Sequence, residues 1–248
     1  MHPVIFRLGL PGGGFLAIHS YGVCLAAAML IAWYLVVHAE HESPPKVRAR
    51  AFAGAATAGA VAGMVTLLAG GAGAFVGLGA SALIFAAMAP SARDTYAPAF
   101  CALWILGGMG SWLDGWLYGS VASEGFAAWG AFPSGSPAFA AHRARDLIDE
   151  ASTHSLPTHP VALYHSLIGV AVLPFAFRLR GGGLALPAVT FAYGATLLGL
   201  ELLRDDPFSG ASTPAIGLLV LGAALASGVL TLGQRGTSAD VDEPSAPA

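Results

Sequence analysis

Seven runs of about twenty mostly apolar residues follow one another along the 248-residue chain, at 17-38, 51-69, 72-90, 96-116, 160-178, 183-203 and 213-232. A bilayer core is about 30 Å thick, and a helix rising about 1.5 Å per residue needs about twenty apolar residues to cross it. A chain made of such runs is expected to fold in lipid. Its composition points the same way: 56% of residues are hydrophobic and 10% are charged, whereas a water-facing globular surface uses about 25% charged residues. The interiors of the runs are rich in glycine and alanine, which suits close helix packing in lipid. The expected fold is therefore all-α, an integral membrane seven-helix bundle over 1-235. A small, acidic, proline-containing tail at 236-248 is expected to be disordered. The first run is longer than the roughly 7–15-residue core of a signal peptide and only Arg7 precedes it, so it reads as a retained span.

Basic residues set the orientation, because cytoplasmic loops are enriched in lysine and arginine. Seven of the eleven fall on one side of the expected spans: Lys46, Arg48, Arg50, Arg93, Arg178, Arg180 and Arg235. Arg7, Arg143, Arg145 and Arg204 fall on the other. The N-terminus is thus expected outside and the C-terminus in the cytoplasm. A net charge of -3 provides no concentrated basic face, so no nucleic acid partner is expected. Cys24 and Cys101 lie in apolar runs, away from any disulfide framework. The histidine spacing supplies no third ligand for a metal, and no metal or cofactor is expected. No span carries a chain of ionisable residues of the kind an ion path requires.

The polar chemistry gathers at the outer side. The one large extramembrane segment, about 117-159, contains His142, Arg143, Arg145, Asp146, Asp149, Glu150, His154 and His159, with a short amphipathic helix expected around 137-148. Glu201 and Arg204, three residues apart, share a helix face near the outer end of the sixth run. They form either a structural ion pair or a site where the guanidinium fork meets a lipid phosphate. His159-Pro160 opens the fifth run, and the histidine either caps that helix or carries a proton near neutral pH. Residues 107–119 contain closely spaced glycines around Asp114 and end in Leu117-Tyr118-Gly119. Tyr21 sits in Ile18-His19-Ser20-Tyr21-Gly22 at the outer end of the first run, where an interfacial anchor is common.

In order along the chain, these motifs resemble the prolipoprotein diacylglyceryl transferase family. The resemblance rests on Ile18 to Gly22, Asp94-Thr95-Tyr96-Ala97-Pro98-Ala99, the Gly107 to Gly119 signature and Trp129-Gly130-Ala131-Phe132-Pro133. It continues through Pro157-Thr158-His159-Pro160-Val161-Ala162-Leu163-Tyr164, Tyr193-Gly194 and Glu201-Leu202-Leu203-Arg204-Asp205-Asp206-Pro207. It implies a multi-pass enzyme of the bacterial inner membrane that moves the diacylglyceryl group of phosphatidylglycerol to the lipobox cysteine thiol of a preprolipoprotein signal peptide. Glycerol phosphate leaves. Such chemistry needs proton removal from the thiol and cations or N–H donors on the departing phosphate. The resemblance gives His159, Glu201 and Arg204 catalytic roles, with His159 removing the proton and Glu201 orienting Arg204. Tyr21, Asp114, Tyr118 and Tyr193, joined by Arg143 and Arg145 from the outer segment, would hold the lipid.

The sequence departs from the family pattern at Gly108, Ser111, Val76, Leu197 and His165, where the family carries arginine, asparagine, histidine, arginine and an acid. Loss of one preorganised donor costs about 3–4 kcal/mol of transition-state stabilisation. Two expectations follow. Either the chain is a transferase whose phosphate site draws charge from Arg143 or Arg145, or it is a catalytically silent relative that binds lipid or lipoprotein without transfer.

Overall fold

The computed structural model describes residues 4–9, 14–68, 73–122 and 130–205. The expected span at 213-232, the tail at 236-248, Arg235, Trp129, Asp206 and Pro207 lie outside the described residues. The described chain is mostly helical. Its elements are strands β1 (Val4–Gly9) and β2 (Phe15–His19), then helices α1 (Ser20–Val37), α2 (Pro45–Leu68) and α3 (Gly73–Met88). A 3-10 turn (Pro90–Thr95) leads into α4 (Tyr96–Asp114), followed by α5 (Pro137–Ala144), α6 (Val161–Arg178) and α7 (Ala185–Glu201).

Six of these helices occupy the expected runs. Three segments are long and apolar enough to cross a membrane: Ser20–Val37, Pro90–Asp114 and Val161–Arg178. Val76–Met88 and Ala185–Glu201 are apolar but shorter. Large apolar side chains point away from the protein along the bundle, among them Leu30 on α1, Val65 on α2, Leu167 on α6 and Phe191 on α7.

The first expected run starts differently. Residues 15–19 pair antiparallel with 4–9 as a hairpin, with Arg7 opposite Ala17, and the helix begins only at Ser20. The expected amphipathic helix is likewise shorter, ending at Ala144. Pro137 occupies its first turn, and the Ser136 hydroxyl accepts the Phe139 N–H at 3.2 Å. Asp146, with φ 56°, then takes a left-handed conformation that no helix continues through.

Helix α4 is the centre of the bundle. On one side a Cβ at Gly108 would lie 2.5 Å from Ser166 Oγ and 2.8 Å from the Ala162 carbonyl of α6. On another, a Cβ at Gly110 would lie 3.0 Å from both Tyr21 Cα and Cys24 Cβ of α1. The closely spaced glycines therefore let α4 fit between two neighbours at backbone contact. Glycines also join α2 to α3, where the Gly59 and Gly77 backbones touch. The core along α4 is aromatic: Phe85 stacks on Tyr96 at 4.6 Å, and Tyr193 stands edge-on to Phe100 and Trp104 at 5.2 and 5.1 Å.

Charged groups hold the helix ends. Asp94, buried beside the start of α4, accepts the N–H groups of Gly183 and Leu186 at the start of α7, at 2.5 and 3.4 Å. Asp114, the last residue of α4, faces the first N–H groups of α1, those of Ser20 and Tyr21. Arg48 of α2 is 2% exposed and closes the other end of α1. Its Nε donates to the Val36 carbonyl at 2.9 Å, its Nη2 to Val37 and Ala39 at 2.8 and 3.0 Å, and its Nη1 to the Ser43 carbonyl.

Candidate functional site

Beyond the C-terminal ends of α4 and α7 and the N-terminal end of α6, three stretches of chain cross. Gly115 takes a left-handed conformation (φ 75°), and the Trp116 N–H donates to the Ser111 carbonyl at 3.0 Å, which ends α4. The chain then runs between residues 157–159 and 203–205. The Gly119 N–H donates to the His159 carbonyl (2.8 Å), the His159 N–H to Ser120 (3.0 Å) and the Ser120 N–H to Leu203 (2.8 Å). A Cβ on Gly119 would lie 2.8 Å from His159 Cβ and 2.9 Å from Val161 Cγ2, so glycine is what lets the stretches meet.

This crossing brings together Tyr118, His159, Glu201 and Arg204. Arg204 Nη1 donates to Glu201 Oε2 at 2.8 Å, with the two side chains 1% and 13% exposed. A pair this dry needs close geometry to offset the loss of hydration. His159 is half-buried, with Nδ1 3.4 Å from the Tyr164 hydroxyl. Tyr118 is fully buried, its ring edge-on to that of His142 at 5.9 Å.

The segment between α4 and α6 reaches the same end of the bundle through one of its two arginines. Arg145 Nη1 lies 2.7 Å from Asp205 Oδ2. Arg143 turns instead to Glu150, at 3.6 Å and in the open. His142, just before them in sequence, is fully buried, and its Nδ1 accepts the Leu156 N–H at 3.1 Å, which fixes the tautomer with hydrogen on Nε2. That Nε2 is buried with no hydrogen-bond partner among the described residues. Burial holds His142 below its ordinary value of 6.5; the Arg145 guanidinium adds to this shift and Asp205 opposes it. The imidazole is therefore neutral at pH 7.

Tyr21, Asp114 and Tyr193 form a second group from α1, α4 and α7, with Tyr21 near enough to Asp114 and to Tyr193 for their charges to interact. Asp114 is 3% exposed, its Oδ2 3.9 Å from His19 Nδ1. Asp114 Oδ1 is buried without a hydrogen-bond partner among the described residues. Tyr193 belongs to the aromatic core, 1% exposed.

The departures from the family pattern also have places. Gly108 is enclosed by α6, and Leu197 is 1% exposed in the core, so neither position has room for an arginine. His165 is buried and accepts the Trp104 indole N–H at Nδ1 (3.3 Å), a polar link between α4 and α6.

The sequence reading did not single out Asp205 or the helix-end roles of Arg48 and Asp94. Asp205 stood inside a quoted motif, and its acidity beside Arg204 was the available signal. Asp94 likewise opened a quoted motif, but its partners lie up to 92 residues away, and nothing local marks Arg48. Among the described residues, no three His, Cys, Asp or Glu side chains gather as a metal set. In comparisons with known proteins, no family model matches this chain, and no curated protein matches it at a significant level.

Proposed function

We propose that the chain is a membrane transferase of the prolipoprotein diacylglyceryl transferase type, a seven-helix protein of the bacterial inner membrane with its N-terminus outside and C-terminus in the cytoplasm. Its substrates are phosphatidylglycerol and the lipobox cysteine of a preprolipoprotein signal peptide. The observation that carries this reading is the buried Glu201–Arg204 pair at the crossing, with Arg145 held one residue away on Asp205. The two guanidinium groups come from different elements and are held on residues 201 and 205 at the same end of the bundle. That is an arrangement for a phosphate, since each fork can donate two N–H groups to its oxygens. Lipid phosphate replaces Asp205 as the partner of Arg145, while Glu201 keeps Arg204 in place. Asp114 Oδ1, a buried acceptor without a donor, receives a hydroxyl of the glycerol headgroup.

In the reaction, His159 takes the proton of the lipobox thiol, and the sulfur attacks the glyceryl carbon that bears the phosphate. The C–S bond forms as the C–O bond breaks, and the electron pair leaves with glycerol phosphate. Negative charge then grows on the phosphate beside Arg204 and Arg145, where cations lower the barrier most.

A second reading, a silent relative that binds lipid or lipoprotein without transfer, is favoured by one observation. The Gly108 and Leu197 positions, cationic in the family, are closed by packing here. A mass-spectrometric assay separates the two. Purified protein in phosphatidylglycerol micelles is given a lipobox peptide with a single cysteine, alongside an active transferase as control. A diacylglyceryl mass increment that disappears on Cys→Ser in the peptide supports transfer. Binding of the lipid with no increment supports the silent reading.

A further inference from the structure

The β1–β2 hairpin stands ahead of α1 with its apolar side chains uncovered. Ile5, Phe6, Leu8 and Phe15 are all exposed, Phe15 the most at 74%. Phe6 pairs with Ile18 and Leu8 with Leu16, while Arg7 lies opposite Ala17. Side chains alternate along a strand, so Phe6 and Leu8 share one face of the ribbon and Arg7 takes the other. A two-stranded ribbon is marginal in water unless its apolar face packs on something. The base of this one is fixed in place. His19 ends β2 and passes directly into Ser20, the first residue of α1. Its Nδ1 lies 3.9 Å from Oδ2 of Asp114, the last residue of α4, so the hairpin leaves the bundle at the crossing end.

What covers the ribbon follows from its neighbours and its edges. The exposed apolar surface continues onto α1 through Val23, Leu25 and Leu30, and α1 is one of the segments able to cross a membrane. Each strand aims half of its N–H and C=O groups away from its partner. Among the described residues no third strand pairs with those edges. Hydrocarbon cannot satisfy them, so the ribbon does not belong in the bilayer core. A contiguous set of exposed large apolar side chains is equally out of place in bulk water. The hydrated headgroup layer, with acyl chains directly beneath it, satisfies both demands. Charge agrees with that position. The described hairpin residues include no acid and carry Arg7 and His19, which suit lipid phosphates.

We propose that the β1–β2 hairpin is an interfacial anchor whose partner is the lipid surface at the crossing end, with Phe6 and Leu8 toward the acyl chains and Arg7 toward the phosphates. The anchor holds the start of α1, and through His19 and Asp114 the end of α4, at headgroup level. This inference rests on α1 crossing the membrane and owes nothing to the transferase reading. A relative with no transfer activity would keep the same anchor.

Spin labelling of the full chain, reconstituted in vesicles of equal parts phosphatidylcholine and phosphatidylglycerol, tests it. Cys24→Ala removes the half-buried native thiol, and Cys101, which is buried, stays in place. Phe6→Cys, Arg7→Cys and Leu8→Cys are labelled one at a time, with Leu30→Cys on α1 as the reference. All four positions are exposed, so the labels leave the packing intact. Labels at Phe6 and Leu8 should collide severalfold more with dissolved oxygen, which partitions into lipid, than with a water-soluble nickel complex, as the label at Leu30 does. The label at Arg7 should show the reverse. Nickel-dominated collisions at Phe6 and Leu8, with Leu30 in lipid, would place the hairpin in water and overturn the proposal alone. Protection from both reagents would show that protein covers the face, a second copy or another segment of this chain, and would overturn it too. Nickel-dominated collisions at Leu30 as well would overturn the α1 span together with the anchor.

Discussion

Arg145 and Asp205 join the segment between α4 and α6 to the end of α7 through a contact of 2.7 Å, one residue along the chain from Arg204. Arg143, two residues before Arg145, faces the other way. The two arginines are therefore not equivalent. Under the proposed function, Arg145→Ala should lower diacylglyceryl transfer about a hundredfold, the scale of one lost oxyanion or phosphate donor, whereas Arg143→Ala should leave it within about twofold, as expected for an exposed pair. The peptide mass assay reads both, and equal effects would remove Arg145 from the site.

Gly108 offers a test in the opposite direction. Under the proposed function, introducing an arginine with Gly108→Arg should not improve transfer, because the first carbon of the side chain already meets Ser166 Oγ and the Ala162 carbonyl. Overpacking of this kind costs about 1–3 kcal/mol or more. A lower melting temperature in detergent is the expected result, and a gain in activity at unchanged stability would show that α6 gives way.

Arg48→Met should be among the most damaging single changes outside the crossing. It removes the donors that serve the carbonyls of Val36, Val37, Ala39 and Ser43. Stranded acceptors cost about 1–3 kcal/mol each when dry, so a loss of about 3 kcal/mol or more is expected in reversible detergent unfolding. Arg48→Lys should rescue little, since an ammonium cannot span carbonyls a fork reaches together.

His142 makes stability depend on acid. Its folded value lies below the ordinary 6.5, so the unfolded chain binds the proton more readily. Stability from this group is complete above 6.5 and is lost as pH falls from there toward the lower folded value. Melting temperatures between pH 7 and pH 5 should therefore drop, and His142→Gln should flatten that slope. An unchanged slope would place the acid sensitivity elsewhere.

Much of the helical layout was legible because apolar length is a local property. The expected run 96-116 appears as Tyr96–Asp114, and 160-178 as Val161–Arg178. The β1–β2 hairpin was not legible, since Phe15 to His19 is as apolar as the helix it precedes. Of the candidate residues, His159, Glu201, Arg204 and Tyr118 lie at the crossing, whereas Tyr193 lies in an aromatic core. Motif order names residues that share an end of the bundle. Which face each side chain takes is decided by partners far off in sequence, such as Asp205 for Arg145, sixty residues apart.

The two carboxylates at either end of α4 have a bearing on how the bundle is aligned. Apolar helix faces in lipid can slide past one another at little expense, because one methyl contact replaces another. Asp94 meets the start of α7 and Asp114 the start of α1. A shift of either neighbour by one turn, about 5.4 Å, would leave a buried carboxylate facing hydrocarbon. One helix thus acts as a ruler along its own axis, fixing the height of its two neighbours and with it the level at which the segments beyond α4 and α7 come together.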